Sequence, residues 1–277
     1  MIMSVTDIDF TALTPFLARR AAASYKGDFG HSLLIGGNFG FAGSIMMAAI
    51  AAARAGSGLI SVATRGDNVI SIVTRYPEIM AHDVDNTAGL ESLLKKATVI
   101  GVGPGLGQSD WSQILLDKVW QQELPLIVDA DALNLLAKLP QRRDNWILTP
   151  HAGEAARLLG VEVKAILAER DQAVVQLQQR YGGIAILKGQ HTLVATGNGI
   201  FRCTAGNPGM ASGGMGDTLT GIITGLVAQN IPLPIAAQLG VYLHARAGDE
   251  AAQAGERGLL ASDLLPYIRQ LVNPDNQ

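Results

Sequence analysis

Hydrophobic and polar positions along the chain alternate between two patterns. Residues 31–37, 59–64, 98–103, 124–130, 146–149 and 183–188 are continuous apolar runs, the pattern of strands covered on both faces. Between them, residues 42–55, 111–121, 132–139, 153–159 and 164–181 read as helices. Such alternation predicts a mostly parallel central sheet with helices on both faces. Residues 192–195 and 199–204 flank Gly197-Asn198, which predicts a β-hairpin at the sheet edge. Two or three helices are expected to close the chain. No linker, low-complexity stretch or repeat interrupts the pattern, so residues 1–277 are read as one domain. Residues 1–25 are expected to form a helical N-terminal arm.

Composition narrows the class. At 48% hydrophobic and 16% charged residues, the chain is globular rather than disordered. Its single cysteine, Cys203, excludes a disulfide framework and a cysteine-rich zinc site. A net charge of −3 offers no general attraction to nucleic acid or to an anionic membrane. The first 20 residues place acidic residues ahead of the apolar stretch and arginines after it, the wrong order for a secretory signal. The longest apolar run, residues 39–53, is 15 residues long and falls short of the roughly 20 needed to span a bilayer. A cytoplasmic protein is expected, and alanine-rich helix surfaces favour a homo-oligomer, a tetramer among the options.

In open α/β sheets, ligands sit at the carboxyl ends of the strands. Glycines and polar residues gather at those ends: Gly36-Gly37-Asn38, Gly103-Pro104-Gly105-Leu106-Gly107, Asp129-Ala130-Asp131, Thr149-Pro150-His151 and Lys188-Gly189. A further segment, Asn207-Pro208-Gly209-Met210-Ala211-Ser212-Gly213-Gly214-Met215-Gly216-Asp217, runs directly into a helical pattern. Leu219, Ile222, Ile223, Leu226 and Val227 line one face of that helix. Glycines ahead of a helix let backbone N–H groups converge, and with the helix dipole they make an anion site. A carboxylate at its lip, Asp217, repels an anion, so proton transfer is the economical role for it. The competing reading is that Asp217 merely caps the helix. No lysine follows a glycine, which excludes a P-loop, and the 101–107 stretch breaks G-x-G-x-x-G at Leu106.

Other candidates have two readings each. Lys188 suits a phosphate but could be a solvated lysine. His151 could hydrogen-bond a substrate or sit satisfied in its loop. Glu154 is placed for a water-mediated metal contact, although support of a helix dipole is the stronger reading. Asp129 and Asp131 either line the site or cap the next helix. His31, His82 and His244 show no partners at ligand spacing.

Taken in order, the segments 26–37, 54–59, 103–107, 129–133, 149–154 and 207–217 resemble the ADP-dependent NAD(P)H-hydrate dehydratases of the ribokinase-like superfamily. The resemblance extends from about Lys26 to Leu265. It implies a ribokinase-like fold and a repair reaction: hydrated NADH or NADPH loses water at the expense of ADP, which yields AMP and phosphate. It puts the hydrated cofactor near Ala42, Gly105, His151 and Asp217. It puts the adenine nucleotide along Lys188, Gly189, Gln190, His191, Thr192 and Gly216, with Mg²⁺ bridging the phosphates. A small-molecule kinase of the same superfamily, of the hydroxyethylthiazole or pyridoxal kinase type, would share the glycine-rich segment and Asp217. Many members carry an N-terminal epimerase domain. With residues 1–25 ahead of the first motif, that activity is expected to be absent.

Overall fold

The computed structural model describes residues 4–85 and 87–274. Ten strands form one sheet among these residues: β1 (Val5–Asp7), β2 (His31–Ile35), β3 (Leu59–Thr64), β4 (Met80–Asp83), β5 (Val99–Val102), β6 (Leu126–Val128), β7 (Trp146–Leu148), β8 (Ile184–Leu187), β9 (Leu193–Thr196) and β10 (Gly199–Arg202). Their spatial order is β1-β10-β9-β8-β7-β6-β5-β2-β3-β4. The strands from β8 through β7, β6, β5, β2 and β3 to β4 pair in parallel. The helices are α1 (Phe10–Leu13), α2 (Ala42–Ala55), α3 (Gly66–Arg75), α4 (Thr87–Leu94), α5 (Asp110–Trp120), α6 (Ala130–Lys138), α7 (Ala152–Leu159), α8 (Val163–Ala168), α9 (Arg170–Tyr181), α10 (Met215–Ala228), α11 (Leu233–Ala251) and α12 (Leu264–Leu271).

Strand residues divide between the two faces with the period of two that a pleated strand imposes. Leu33, Ile35, Ile100, Val102, Leu126 and Val128 pack against α4, α5, α6, α7 and α9. Val99, Ile127, Ile147, Ile184 and Ile186 pack with α10, α11 and α12. Leu34 and Val62 lie under α2. Both faces are covered, which is why the strands read as unbroken apolar runs.

Three expectations need correction. The N-terminal arm is only partly helical. Residues 5–7 form β1, which runs parallel to β10, while residues 10–13 make one short α-helix; residues 1–3 lie outside the described residues. The hairpin does turn at Gly197-Asn198 and pairs β9 with β10 antiparallel, but β1 covers β10, so the hairpin is not the sheet edge. The helix expected over 164–181 is two helices, broken at Glu169, where φ −132° and ψ 55° leave the helical region. Strand β4 and helices α3 and α4 were not visible in the pattern; β4 is an edge strand whose residues are exposed or half-buried.

Candidate active site

The loops after β2, β5, β6, β7 and β8 meet on one rim and are hydrogen-bonded to one another. Gly37 N donates to Pro104 O at 3.0 Å and Asn38 N to Gly105 O at 2.7 Å. Gly107 N donates to Asp131 Oδ2 at 2.8 Å. Lys188 N donates to Pro150 O at 2.9 Å. Gly105 has a positive φ of 58°, and a Cβ there would lie 2.6 Å from the Cβ of Phe41. Only glycine lets the β5 loop approach the start of α2 this closely.

Helix α10 enters this rim from the glycine-rich segment. Gly214 is its N-cap residue, in the left-handed region at φ 87°, and no side chain caps the first turn. The N–H groups of that turn are therefore available to an anion. Gly216 has no positive φ; what it supplies is space, since a Cβ there would come within 3.3 Å of Lys188 Nζ and 3.7 Å of Asp129 Oδ2. The segment ahead of the helix is tied to α11: Asp249 accepts from Gly206 N at 3.0 Å and from Asn207 Nδ2 at 2.9 Å, and Asn207 Oδ1 accepts from Gly209 N at 3.0 Å.

Asp217 lies in the first turn of α10 and does not cap the helix; Ser44 of α2 lies beside its carboxylate and favours the charged form. Burial, reinforced by Asp129, pushes the Asp217 carboxyl up to about 6. A carboxylate poised there is a competent proton acceptor near neutral pH.

Beside it is a buried charge network. Lys188 Nζ donates to Asp129 Oδ1 at 2.6 Å and lies 3.8 Å from Glu154 Oε2. Asp129 Oδ2 accepts from Thr220 Oγ1 of α10 at 2.8 Å. Burial alone would lower the Lys188 ammonium, but the two carboxylates outweigh it and hold it above the usual lysine value. Burial raises the Glu154 carboxyl, against the pull of Lys188. The Asp129 side chain thus makes no cap on α6 and instead joins Lys188 to α10, and Asp131 fixes the β5 loop. Glu154 takes the role of helix support: it accepts from His151 N at 2.8 Å, while His151 Nδ1 accepts from Gly153 N at 2.9 Å, which closes a reciprocal cap on α7. The His151 side chain stays 55% exposed on the rim, so its ring is reachable by a ligand. Burial lowers its pKa below the ordinary histidine value.

A cleft of about 740 Å³ continues from this network past Lys188, Gly189, Gln190 and His191 to Arg170 and Arg202. The turn that forms its wall depends on Gly189, whose φ of 137° is open to glycine, and holds His191 in the left-handed region at φ 53°. Thr192 Oγ1 donates to Gly189 O at 2.9 Å, and Arg170 donates to Leu187 O and His191 O at 3.3 and 3.4 Å. Arg202 is held by Asp7 of β1 at 2.7 Å.

The structure therefore brings Gly105 against Phe41 and Ser44 at the start of α2, which begins at Ala42, and sets Lys188 near Gly216 and Asp217, with His151 at the margin. Sequence reasoning missed Ser44, Thr220, Arg170 and Arg202. Thr220 could have been found, because it follows Asp217 by three residues and so shares its helix face. Ser44 had a fainter signal as the one hydroxyl in the apolar run 39–53. Three buried polar atoms have no hydrogen-bond partner among the described residues: Ser212 Oγ and Thr218 Oγ1, both in the glycine-rich segment or its helix, and His244 Nε2, whose ring faces the Met215 backbone. Burial drives His244 down to about 4, so it is neutral.

A family model described as NAD(P)H-hydrate dehydratase matches residues 32–270. A bifunctional NAD(P)H-hydrate repair enzyme from Coxiella burnetii is 51% identical over 269 residues, covering 96% of this chain and 55% of that protein. The chain thus spans about half the length of the curated relatives it matches. Among solved structures, a ribokinase-like superfamily protein from Enterococcus faecalis superposes with a TM-score of 0.90 at 31% identity, covering 98% of this chain and 96% of that one. The ADP/ATP-dependent NAD(P)H-hydrate dehydratase from Bacillus subtilis, co-crystallised with ATP and Mg²⁺, superposes with a TM-score of 0.84 at 29% identity, covering 98% and 99%.

Proposed function

Because this chain belongs to the NAD(P)H-hydrate dehydratase family, we propose that it dehydrates the S-epimer of hydrated NADH or NADPH, with ADP as the phosphoryl donor. One observation carries the reading: a carboxylate pushed up to about 6 stands in the first turn of a helix with no side-chain cap, beside Lys188. That arrangement suits a hydroxyl that must lose a proton as it takes up a phosphoryl group.

In this account the nucleotide lies in the cleft along Lys188, Gly189, Gln190, His191 and Thr192, with its terminal phosphate at Gly216 and the α10 N-terminus. The hydrated cofactor approaches from Ala42 and Gly105, with His151 at its edge. Asp217 accepts the proton of the ring hydroxyl as that oxygen bonds to the transferred phosphorus, and AMP departs. Phosphate then leaves with the carbon–oxygen bonding pair while the neighbouring carbon gives up a proton, which restores the ring double bond. Ser44 holds the Asp217 carboxylate toward the substrate side, and the Asp129–Lys188 pair keeps an ammonium next to the phosphates.

Magnesium fits this site as a companion of the nucleotide rather than as a resident ion. Among the described residues no cluster of three His, Cys, Asp or Glu could hold a metal, and both Asp129 oxygens are already engaged by Lys188 and Thr220. When bound with the nucleotide, magnesium would neutralise phosphate charge through phosphate oxygens and water.

Product analysis tests the reading. Reduced cofactor, AMP and phosphate should form in equal amounts from hydrated NADH and ADP. Accumulation of a stable phosphorylated hydrate without recovery of reduced cofactor would make the protein a kinase instead.

A further inference from the structure

We propose that Phe39 and Phe41 form an aromatic platform for the adenine ring of the hydrated dinucleotide, at the end of the molecule away from Asp217. The proposal rests on the substrate reading above and adds a subsite to it. Both side chains are largely in solvent, 62% exposed for Phe39 and 52% for Phe41. They are presented by a tight turn in which Phe41 N donates to Asn38 O at 2.8 Å and Gly40 takes a positive φ of 81°.

The turn is pinned to a degree that an ordinary solvent loop does not need. Asn38 Oδ1 accepts from Phe39 N at 2.9 Å and from Arg65 Nε at 3.0 Å, and Asn38 Nδ2 donates to Ser109 Oγ at 3.2 Å. The Arg65 guanidinium lies 4.7 Å from the Phe39 ring centre and 4.2 Å from that of Trp111, so it backs Phe39 and leaves the rest of the ring open. Gly40 and Gly43, on either side of Phe41, face open space. Fixed, exposed rings flanked by empty space present a flat apolar surface without reorganisation, which is what a stacking base requires.

Position selects the occupant. Phe41 O accepts from Ser44 N, and the Ser44 side chain lies beside Asp217, so the platform begins one helical turn from the residue that neighbours the proposed base. The hydrated ring must reach Asp217 with its hydroxyl, and hydration has removed its planarity. The flat ring left for a phenyl face is the adenine at the other end of the dinucleotide. In the reading above, the ADP adenine takes the separate cleft lined by Gly189, Gln190 and Arg170, which neither Phe39 nor Phe41 lines.

Calorimetric titration without nucleotide tests this, because no turnover then occurs. The ligands are hydrated NADH and the hydrated mononucleotide that lacks the adenylate half. The proteins are wild type, Phe41→Leu, Phe41→Tyr and the double variant Phe39→Ala/Phe41→Ala. Phe41 makes no side-chain cap hydrogen bond on α2, so these changes remove no cap; unchanged melting temperature and ADP affinity establish that the fold is kept. Phe41→Leu and the double variant should weaken hydrated NADH binding by roughly tenfold or more, the size of a lost base–aromatic stack. Phe41→Tyr should bind as wild type, and all four proteins should bind the mononucleotide alike. Equal affinity of all four for hydrated NADH overturns the platform alone, as does an equal loss with the mononucleotide. A shift in oligomeric state on gel filtration with unchanged binding also overturns it, and assigns the rings to a second copy of the chain. If wild type binds ADP but neither binds nor dehydrates hydrated NADH, the functional reading falls and the platform falls with it.

Discussion

Asp217 holds the central position at the scale of single residues. Its carboxyl titrates at about 6 because burial and Asp129 disfavour the charge. A general base acts only when ionised, so lowering the pH through that value removes it. The kcat/KM profile should therefore be flat above about pH 7 and fall toward a tenfold loss per pH unit well below 6. A pH–rate series on wild type and on Asp217→Asn checks this; the limb should vanish in the variant. The neighbouring pair bears on stability. Asp129 is 1% exposed, and its truncation would leave Lys188 with only the more distant Glu154 at 3.8 Å. Asp129→Ala should cost about 3 kcal/mol, the lower part of the range for breaking a buried pair, since Lys188 keeps 18% exposure. Urea unfolding measures it. Asp217 and Lys188 stood out in the sequence because their chemistry follows from the next few residues. Asp129 was named on the same rim with cap and site left open, since its partners lie 59 and 91 residues away and only the fold makes that choice.

Two elements, α2 and α10, carry the site because they bring Ser44 to Asp217. They approach through small residues: a Cβ at Gly221 would lie 2.1 Å from Ala48 O, and one at Gly225 would lie 2.4 Å from Ala52 O. Gly221→Ala pits a gain in helix propensity of about 1 kcal/mol against overpacking of about 1–3 kcal/mol. Contact with rigid backbone rather than a movable side-chain tip makes overpacking win. The variant should melt lower and turn over more slowly, because α10 must move away from α2; a thermal melt and a rate assay decide it. Gly216→Val should act differently. Its backbone is unstrained, but its side chain would occupy the space beside Lys188, so ADP affinity should drop by calorimetry while the fold persists. Much of this level was legible. The helix at 42–55 matches its expected bounds, since apolar positions and Gly56 as a left-handed C-cap mark both face and end. Strand β1 was not legible, because three exposed or half-buried residues carry no pattern until β10 pairs with them.

At the scale of the whole molecule, the parallel strands point their carboxyl ends at one rim, and the hydrogen bonds between loops make that rim a unit. The fold class followed from the alternation of apolar runs and helical patterns. The proposal that this rim is a site came from glycines and polar residues at strand ends, segments that the fold does bring together. No helix among the described residues is long and apolar enough to cross a membrane. A ligand held across several of these loops should stabilise the fold as a whole. ADP with magnesium at about 100 times its Kd would add about 2.7 kcal/mol, which for a chain of this size raises Tm by roughly 5 °C; a thermal shift series checks it. The most direct test of the account follows the absorbance of the dihydronicotinamide ring when hydrated NADH, ADP and magnesium are given to wild type and to Asp217→Asn. Wild type should restore the absorbance at a rate that depends on ADP. Asp217→Asn should be slower by at least about 10²-fold while binding ADP as well or better. No recovery with wild type, or near-normal recovery with Asp217→Asn, would contradict the account.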